Sequence, residues 1–125
     1  MATISLCMIV KDEESVLARC LDSVQGIADE IVVVDTGSSD RTKEIAAAYG
    51  RVLDFVWCDD FAAARNFSFA QATKDYIMWL DADDVIAPAD RGRFVALKAR
   101  LDGMADVVML PYHIAFDEQG QPSFV

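Results

Sequence analysis

The stretch Tyr76-Ile77-Met78-Trp79-Leu80-Asp81-Ala82-Asp83-Asp84 decides the fold of this chain. Five large apolar residues are followed at once by carboxylates, and a short apolar run bounded by polar residues is typical of a strand buried on both faces. In an open parallel sheet, ligands bind just outside the carboxyl ends of the strands. The pattern therefore predicts that Asp81, Asp83 and Asp84 lie where such folds bind ligands.

Three neighbouring carboxylates repel one another unless a cation or a shared proton relieves the repulsion. Hard divalent cations such as Mg²⁺ and Mn²⁺ bind carboxylate oxygens and often a substrate phosphate as well. The acidic group therefore predicts a metal-phosphate site with Mn²⁺ or Mg²⁺ as cofactor. The alternative is a solvated acidic turn that only ends the strand.

Composition limits the classes of function. The chain has 125 residues, which predicts a single domain over 1–125, and 54% of them are hydrophobic, which predicts a globular core. The formal net charge of −10 argues against nucleic acid or an anionic membrane as the main partner. No apolar run is long enough for a membrane segment. Three cysteines without a C-x-x-C pair predict free thiols in a reducing, cytoplasmic compartment.

Apolar runs and amphipathic segments alternate along the chain. Strands are predicted at 3–10, 30–34, 52–56, 76–80 and 107–112, and helices at about 14–25, from Asp40 to Gly50, at 61–72 and from Pro88 to Gly103. The acids at 12–14 suit the start of the first helix, and residues 117–120 predict a hairpin turn. This alternation predicts βαβ units, a mostly parallel sheet and right-handed crossovers.

Two more polar groups are expected at the same edge of the sheet. Asp35 ends the second strand, where a carboxylate can accept hydrogen bonds from a ribose hydroxyl or a base N–H; the alternative is an acid that caps the next helix, a role that suits Asp40 better. Arg65 lies early in a helix, where a guanidinium can bind a phosphate in a bidentate way. The alternative for Arg65 is a surface salt bridge to Asp59 or Asp60.

Four segments together resemble family 2 glycosyltransferases. The opening strand with its polar end, the second strand with its Asp-Thr-Gly-Ser-Ser-Asp loop, an Ala-Arg-Asn triplet and a D-x-D sequence occur in the order and at the spacing of that family. They are Ser5 to Glu13, Ile31 to Asp40, Ala64 to Asn66 and Leu80 to Asp84.

The resemblance implies a GT-A fold: three α/β/α layers around a doubly wound, mostly parallel sheet that binds a nucleotide-diphosphate sugar and inverts the sugar carbon on transfer. Asp35 would then contact uracil or its ribose, Asp81 would lie near the ribose, and Asp83 would bind the metal that bridges the two phosphates. Arg65 would help to hold the nucleotide, and the backbone near Val10 would line the base. The implied partners are a nucleotide-sugar donor, with UDP as the expected nucleotide, and an acceptor that the sequence does not name.

The resemblance covers the donor-binding half of such an enzyme. The catalytic base is expected beyond residue 125, and we interpret His113, in a predicted strand, as structural. We therefore expect a truncated fragment of a longer GT-A catalytic domain that is inactive in transfer on its own. Apolar surface left uncovered by truncation predicts a homodimer through the last strands.

Three other functions compete with this interpretation. A haloacid-dehalogenase-type phosphatase would use Asp81 as nucleophile and Asp83 as general acid, but that family carries the motif on its first strand. A sugar-nucleotide pyrophosphorylase would need a glycine-rich, arginine-bearing loop after the first strand, where this chain has Lys11-Asp12-Glu13-Glu14. The non-enzymatic alternative is a fragment that binds nucleotide and turns nothing over.

Overall fold

A four-stranded parallel sheet forms the centre of the computed structural model, which describes residues 2–101 and the short strands at 115–116 and 122–123. Its strands are β1 (Ile4–Val10), β2 (Glu30–Asp35), β3 (Arg51–Asp54) and β4 (Tyr76–Met78). Their spatial order is β3-β2-β1-β4, and every neighbouring pair is parallel. The predicted βαβ arrangement and parallel sheet are therefore confirmed.

Helices cover both faces of this sheet. They are α1 (Leu17–Ser23), α2 (Thr42–Ala47), α3 (Phe61–Ala70) and α4 (Pro88–Arg100). Alternate residues of β1 point to opposite faces, so Leu6 and Met8 pack with α1 in one core cluster, whereas Cys7 packs with Phe67 of α3 in the other. The result is the three-layer, doubly wound α/β/α arrangement that the resemblance implied.

The prediction that the strand at 76–80 is buried on both faces is wrong. Strand β4 ends at Met78 and, among the described residues, pairs only with β1. Ile77 is 42% exposed and Trp79 is 56% exposed. An apolar run is equally compatible with a strand buried on both faces and with large side chains that line a cleft. Trp79, which follows β4, lines a cleft.

Helix α1 is shorter than predicted at its start. The chain makes a turn at residues 13–16, in which Glu13 O accepts hydrogen bonds from Val16 N and Leu17 N, and the helix begins only at Leu17. The acids at 12–14 therefore do not occupy the first helical turn. They bind the neighbouring loop instead, as described below.

Helix α4 is tied to the amino-terminal edge of the sheet by a buried lysine that sequence patterns did not single out. Lys98 is 3% exposed, and its Nζ donates to Ile27 O and to Asp29 Oδ2, both at 2.7 Å. The same Asp29 oxygen accepts from Ile4 N at 2.8 Å. Burial opposes ionisation of Asp29, but the Lys98 and Ile4 hydrogen bonds outweigh it and lower the pKa of this carboxyl.

Some predictions lie outside the described residues. These are the strand at 107–112, His113 and the hairpin turn at 117–120. The strands that flank that turn, β5 (Ala115–Phe116) and β6 (Pro122–Ser123), pair in antiparallel fashion.

Candidate functional site

The strand order reverses between β1 and β4, and this reversal fixes the place of the site. Chain order runs outward from β1 through β2 to β3, and α3 then returns the chain across the sheet to β4 on the other side of β1. Carboxyl ends of strands that flank such a reversal leave a crevice between their loops. A cleft opens there, lined by residues that include Ile9, Phe61, Arg65, Trp79 and Asp81. We refer to it as the switch-point cleft.

The carboxylates after β4 form one tight turn. Asp84 N donates to Asp81 O at 2.9 Å, and Asp81 N donates to Asp84 Oδ2 at 2.9 Å. Ala82 is 5% exposed and packs in the core, so the residues on either side of it, Asp81 and Asp83, are both exposed. We call residues 81–84 the acidic turn.

The acidic turn fits a divalent cation. One carboxylate oxygen from each of Asp81, Asp83 and Asp84 lies within 4.8 Å of the others. In an octahedral Mg²⁺ site with bonds of about 2.1 Å, adjacent ligand atoms are about 3.0 Å apart and opposite ones about 4.2 Å apart, so the three oxygens would have to move closer together to bind one ion. Carboxylate oxygens are also the donor type that Mg²⁺ and Mn²⁺ prefer.

Arg65 is held by aromatic rings rather than by a carboxylate. Its guanidinium carbon lies 4.9 Å from the centroid of Phe61, 5.8 Å from that of Phe69 and 5.1 Å from that of Trp79. None of the ion pairs among residues 2–101 includes Arg65. Stacking uses the faces of the guanidinium plane, so its N–H groups can still donate hydrogen bonds to an anion.

The aspartates that were the alternative partners of Arg65 have other roles. Asp60 is the N-cap of α3, and its Oδ1 accepts from Ala63 N at 3.1 Å. Asp59 accepts from Trp57 Nε1 at 3.1 Å. The salt-bridge alternative for Arg65 is therefore wrong.

Asp35 is buried beneath the loop that follows β2. It is 1% exposed; its Oδ1 accepts from Gly37 N and Ser38 N at 2.9 and 2.8 Å, and its Oδ2 accepts from Ser38 Oγ at 2.5 Å. Burial opposes ionisation, but these hydrogen bonds outweigh it and hold the pKa of Asp35 below its ordinary value. The carboxylate shapes the loop, and its contact with a nucleotide stays a prediction.

Val10 lies at the end of β1, level with Asp35 in the sheet register. Its carbonyl oxygen accepts from Thr36 N at 3.0 Å and from Thr36 Oγ1 at 3.3 Å. Val10, Thr36 and Trp57 line a second, more open cleft that shares Ile9 and Phe61 with the first. The two clefts therefore adjoin each other at the carboxyl-terminal edge of the sheet.

Two loops at this edge are locked together by hydrogen bonds that the sequence did not reveal. Ser39 N donates to Asp12 Oδ1 at 2.7 Å, and Asp12 N donates to Ser38 Oγ at 2.9 Å. Farther along the same loops, Glu13 N donates to Thr42 Oγ1 and Arg41 N to Glu14 Oε2. Asp40 serves both loops, because it accepts from Glu14 N and from Thr42 N, the first residue of α2. The loops form one unit.

The predicted site residues are therefore partly brought together. Arg65 and Asp81 line the switch-point cleft, Val10 lines the adjoining one, Asp83 belongs to the acidic turn, and Asp35 lies beneath the loop. Sequence reasoning missed the aromatic residues Phe61, Phe69 and Trp79. The i, i+4 spacing of Phe61, Arg65 and Phe69 on one helix was a usable signal.

Comparison with known structures identifies the class. Glucosyl-3-phosphoglycerate synthase from Mycobacterium tuberculosis, crystallised with Mn²⁺, UDP and glucosyl-3-phosphoglycerate, superposes with a TM-score of 0.57 at 26% identity, over 65% of this chain and 33% of that one. The same enzyme crystallised with Mg²⁺ and UDP gives a TM-score of 0.58. The fold and the acidic turn thus define a GT-A glycosyltransferase domain.

The chain belongs to glycosyl transferase family 2, whose family model matches residues 5–122. It is 55% identical over 85 residues to a TPR repeat-containing protein of Synechococcus elongatus and 31% identical over 114 residues to the glycosyltransferase SunS of Bacillus phage SPbeta. These matches cover 67% and 88% of this chain, but only 21% and 27% of the relatives. The family assignment argues against the phosphatase. No helix within the described residues is long and apolar enough to span a bilayer.

Proposed function

We propose that this domain binds a nucleotide-diphosphate sugar, with UDP as the nucleotide, through a divalent cation held by the acidic turn. The observation that carries the proposal is the position of Arg65 and Asp81 in one cleft at the strand reversal, where the carboxylates of Asp83 and Asp84 lie close to that of Asp81. A diphosphate needs positive charge, and a chain with a net charge of −10 supplies little of it elsewhere. A bound cation together with a fixed guanidinium provides that charge locally.

Each residue has a distinct part in this proposal. Asp83 binds the cation, with Asp81 nearer the ribose, and Arg65 donates to phosphate oxygens from its aromatic support. Val10 borders the nucleobase, and Asp35 contributes either directly or by fixing the loop of Thr36. The metal, when bound, neutralises the charge that develops on the diphosphate as the bond to the sugar breaks.

Support also comes from the solved neighbours, which were crystallised with UDP and Mn²⁺ or Mg²⁺, and in one case with UDP-glucose and phosphoglyceric acid. We infer a UDP-sugar donor for this chain from these neighbours. Inversion at the sugar carbon is inferred from the resemblance to family 2 glycosyltransferases alone. The acceptor, the cytoplasmic location and the homodimer stay predictions as well.

Calorimetric titration of the 125-residue chain tests the proposal. UDP should bind in the presence of Mn²⁺ or Mg²⁺, bind at least tenfold more weakly in EDTA, and bind more tightly than ADP or GDP at the same metal concentration. Equal binding in EDTA would overturn the role of the metal, and the absence of any nucleotide binding would overturn the function. Proton NMR of sugar released by slow donor hydrolysis distinguishes inversion from retention at the anomeric carbon.

A further inference from the structure

Helix α1 carries a buried serine that contacts the segment containing the acidic turn. Ser23 is 4% exposed and is the last residue of α1. Its hydroxyl donates to Cys20 O at 2.6 Å, one turn back in the helix, and accepts from Ile86 N at 3.1 Å. A backbone N–H just past the acidic turn is therefore fixed to a helix that is itself fixed in the core.

Two more contacts connect the same helix to the turn. Cys20, which is fully buried, has its Sγ 3.7 Å from Asp81 O in donor geometry. Arg19 Nη2 lies 3.5 Å from Asp83 O. Both are weaker than the Ser23 hydrogen bond, since a thiol is a poor donor and 3.5 Å is long for N–H···O. They nevertheless show that α1 lies beside the backbone of the acidic turn at both Asp81 and Asp83.

Apolar packing holds the turn from the same side. Ala82 lies in the core cluster that includes Leu17 and Leu21 of α1, and Leu80 and Ile86 pack against that cluster. The acidic turn is thus pinned before, within and after its carboxylates. The carboxylates themselves remain at the surface, so their spacing depends on how firmly the backbone beneath them is held.

We propose that Ser23 is a positioning residue for the metal-binding turn, and that its hydrogen bond to Ile86 N sets the affinity of the acidic turn for a divalent cation. This inference rests on the proposed function. Small ligand displacements are costly, because a site works only when its ligands are held to about 0.5 Å by their supporting shell. Removing a residue that supports the metal ligands through hydrogen bonds typically lowers the affinity for the metal by about tenfold or more.

A matched control exists in the same chain. Ser5 is fully buried, donates to Glu30 Oε1 at 2.7 Å and accepts from Lys74 N at 3.1 Å. It therefore has the same balance of one donated and one accepted hydrogen bond as Ser23. Ser5 lies near the start of β1, at the opposite edge of the sheet from the acidic turn. Ser23→Ala and Ser5→Ala remove the same atoms from comparable surroundings.

The first measurement is amide hydrogen exchange, which reports the positioning itself and needs neither metal nor nucleotide. Ser23→Ala should speed exchange of the Asp84 and Ile86 amides by about tenfold, whereas Ser5→Ala should leave them unchanged. The second is a Mn²⁺ titration followed by electron paramagnetic resonance. Ser23→Ala should raise the metal concentration at half-saturation by roughly tenfold, and Ser5→Ala should not.

The outcomes separate this inference from the proposed function. Unchanged exchange in Ser23→Ala, equal changes in both variants, or faster exchange with an unaltered metal midpoint each overturn the role of Ser23. Normal Mn²⁺ binding without UDP binding in the unaltered chain overturns the proposed function alone, and absence of Mn²⁺ binding overturns both. If Ser23→Ala does not fold, Ser23→Thr and Ser23→Val replace it: only Thr, which keeps the hydroxyl, should retain the metal midpoint.

Discussion

Ala82 determines how the acidic turn presents its carboxylates. Its small side chain lies in the core beside α1, so its neighbours in the chain, Asp81 and Asp83, are left exposed. Asp84 is partly buried and returns to the backbone, accepting from Asp81 N. The D-x-D spacing thus places one inward residue between two outward carboxylates, and Asp84 closes the turn that carries them.

Asp83→Asn should lower the affinity for UDP in Mn²⁺ by tenfold or more, about 1.4 kcal/mol, because it replaces an anionic ligand by a neutral amide of the same size. Calorimetry measures this directly. Asp90→Asn is the control, since it removes the same charge from α4, where Asp90 pairs with Arg93 at the surface. Equal losses in the two variants would show that net charge, and not coordination, governs binding.

Arg65→Lys should weaken UDP binding by about tenfold although the charge is kept. A lysine ammonium loses the planar stacking on Phe61 and Trp79, each contact being worth about 0.5–1 kcal/mol at an exposed site, and it loses the bidentate edge for phosphate. Arg93→Lys in α4 is the matched control. An unchanged affinity for UDP in Arg65→Lys would mean that the guanidinium packs against the aromatic rings and does not contact the nucleotide.

At this scale the sequence predicted positions better than environments. Arg65 and Asp81 were placed correctly at one edge because strand ends converge in a parallel sheet. The spacing of Phe61 and Phe69 in α3 could have indicated part of the surroundings of Arg65, but the contact with Trp79 could not be predicted from local sequence, because Trp79 lies in the segment after β4. Asp35 was expected to face a ligand, yet its carboxylate accepts hydrogen bonds from Gly37 and Ser38 of the loop that follows it.

The loop between β2 and α2 depends on a glycine conformation. Gly37 has φ +117°, which L residues rarely adopt, and an added Cβ would meet nothing within 4 Å. Gly37→Ala should therefore destabilise the protein by about 1–3 kcal/mol through backbone strain alone. Gly92→Ala, in an exposed part of helix α4 where a Cβ also meets nothing, should instead stabilise by about 0.5–1 kcal/mol. Urea denaturation of both variants checks these opposite signs, and a neutral Gly37→Ala would contradict the strain.

The same loop links stability to pH through Asp35. Its folded pKa lies below the ordinary value of 3.8, so near that pH the folded state binds fewer protons than the unfolded state and stability rises with pH. The contribution is complete above the unfolded pKa and is lost as pH falls through the folded pKa. As pH decreases through 3.8, the free energy of unfolding should fall less steeply in Asp35→Asn and in Ser38→Ala than in the unaltered protein. An unchanged slope in both would contradict the assignment.

Strand β4 shows why one element was misread. Five apolar residues in succession predicted burial on two faces, but Trp79 lies against Phe69 and Arg65 in the cleft, with ring centroids 5.9 Å apart for the aromatic pair. A run of apolar residues predicts that their side chains are in contact with other groups, but it does not distinguish packing in the core from lining a cleft. The strands that pair on both sides, β1 and β2, were predicted correctly because their burial follows directly from their pattern.

Charge acts on the scale of the whole molecule. Twenty-one acidic residues against eleven lysines and arginines give the chain a net charge of −10, so a nucleotide diphosphate approaches a repulsive surface. Several acidic side chains already accept hydrogen bonds within the fold: Asp29 accepts from Lys98, and Asp35 accepts from its own loop. The acidic turn is different in that its carboxylates converge at the surface, which is where a divalent cation would reverse the local sign for the ligand.

The part of this chain that matches the solved neighbours covers about a third of their length, so the activity of the whole enzyme is a separate question. We predict that the 125 residues bind the donor without repeated sugar transfer. The proposed donor contacts lie within residues 2–101, whereas transfer also needs a general base, whose loss costs about 10² to 10⁴ in rate. Positioning of the acceptor is a further large part of the acceleration.

A transfer assay with UDP-sugar, Mn²⁺ and a mixed panel of acceptors tests this prediction by following UDP release against enzyme concentration. We expect less than one turnover per chain over hours, because binding alone orients one reactant and leaves the other free in solution. Calorimetric UDP binding in the same preparation is the control that separates inactivity from misfolding, and Asp83→Asn gives the background rate of donor hydrolysis. Multiple turnovers that disappear in Asp83→Asn would contradict the prediction, since they would place both the base and the acceptor surface within these 125 residues.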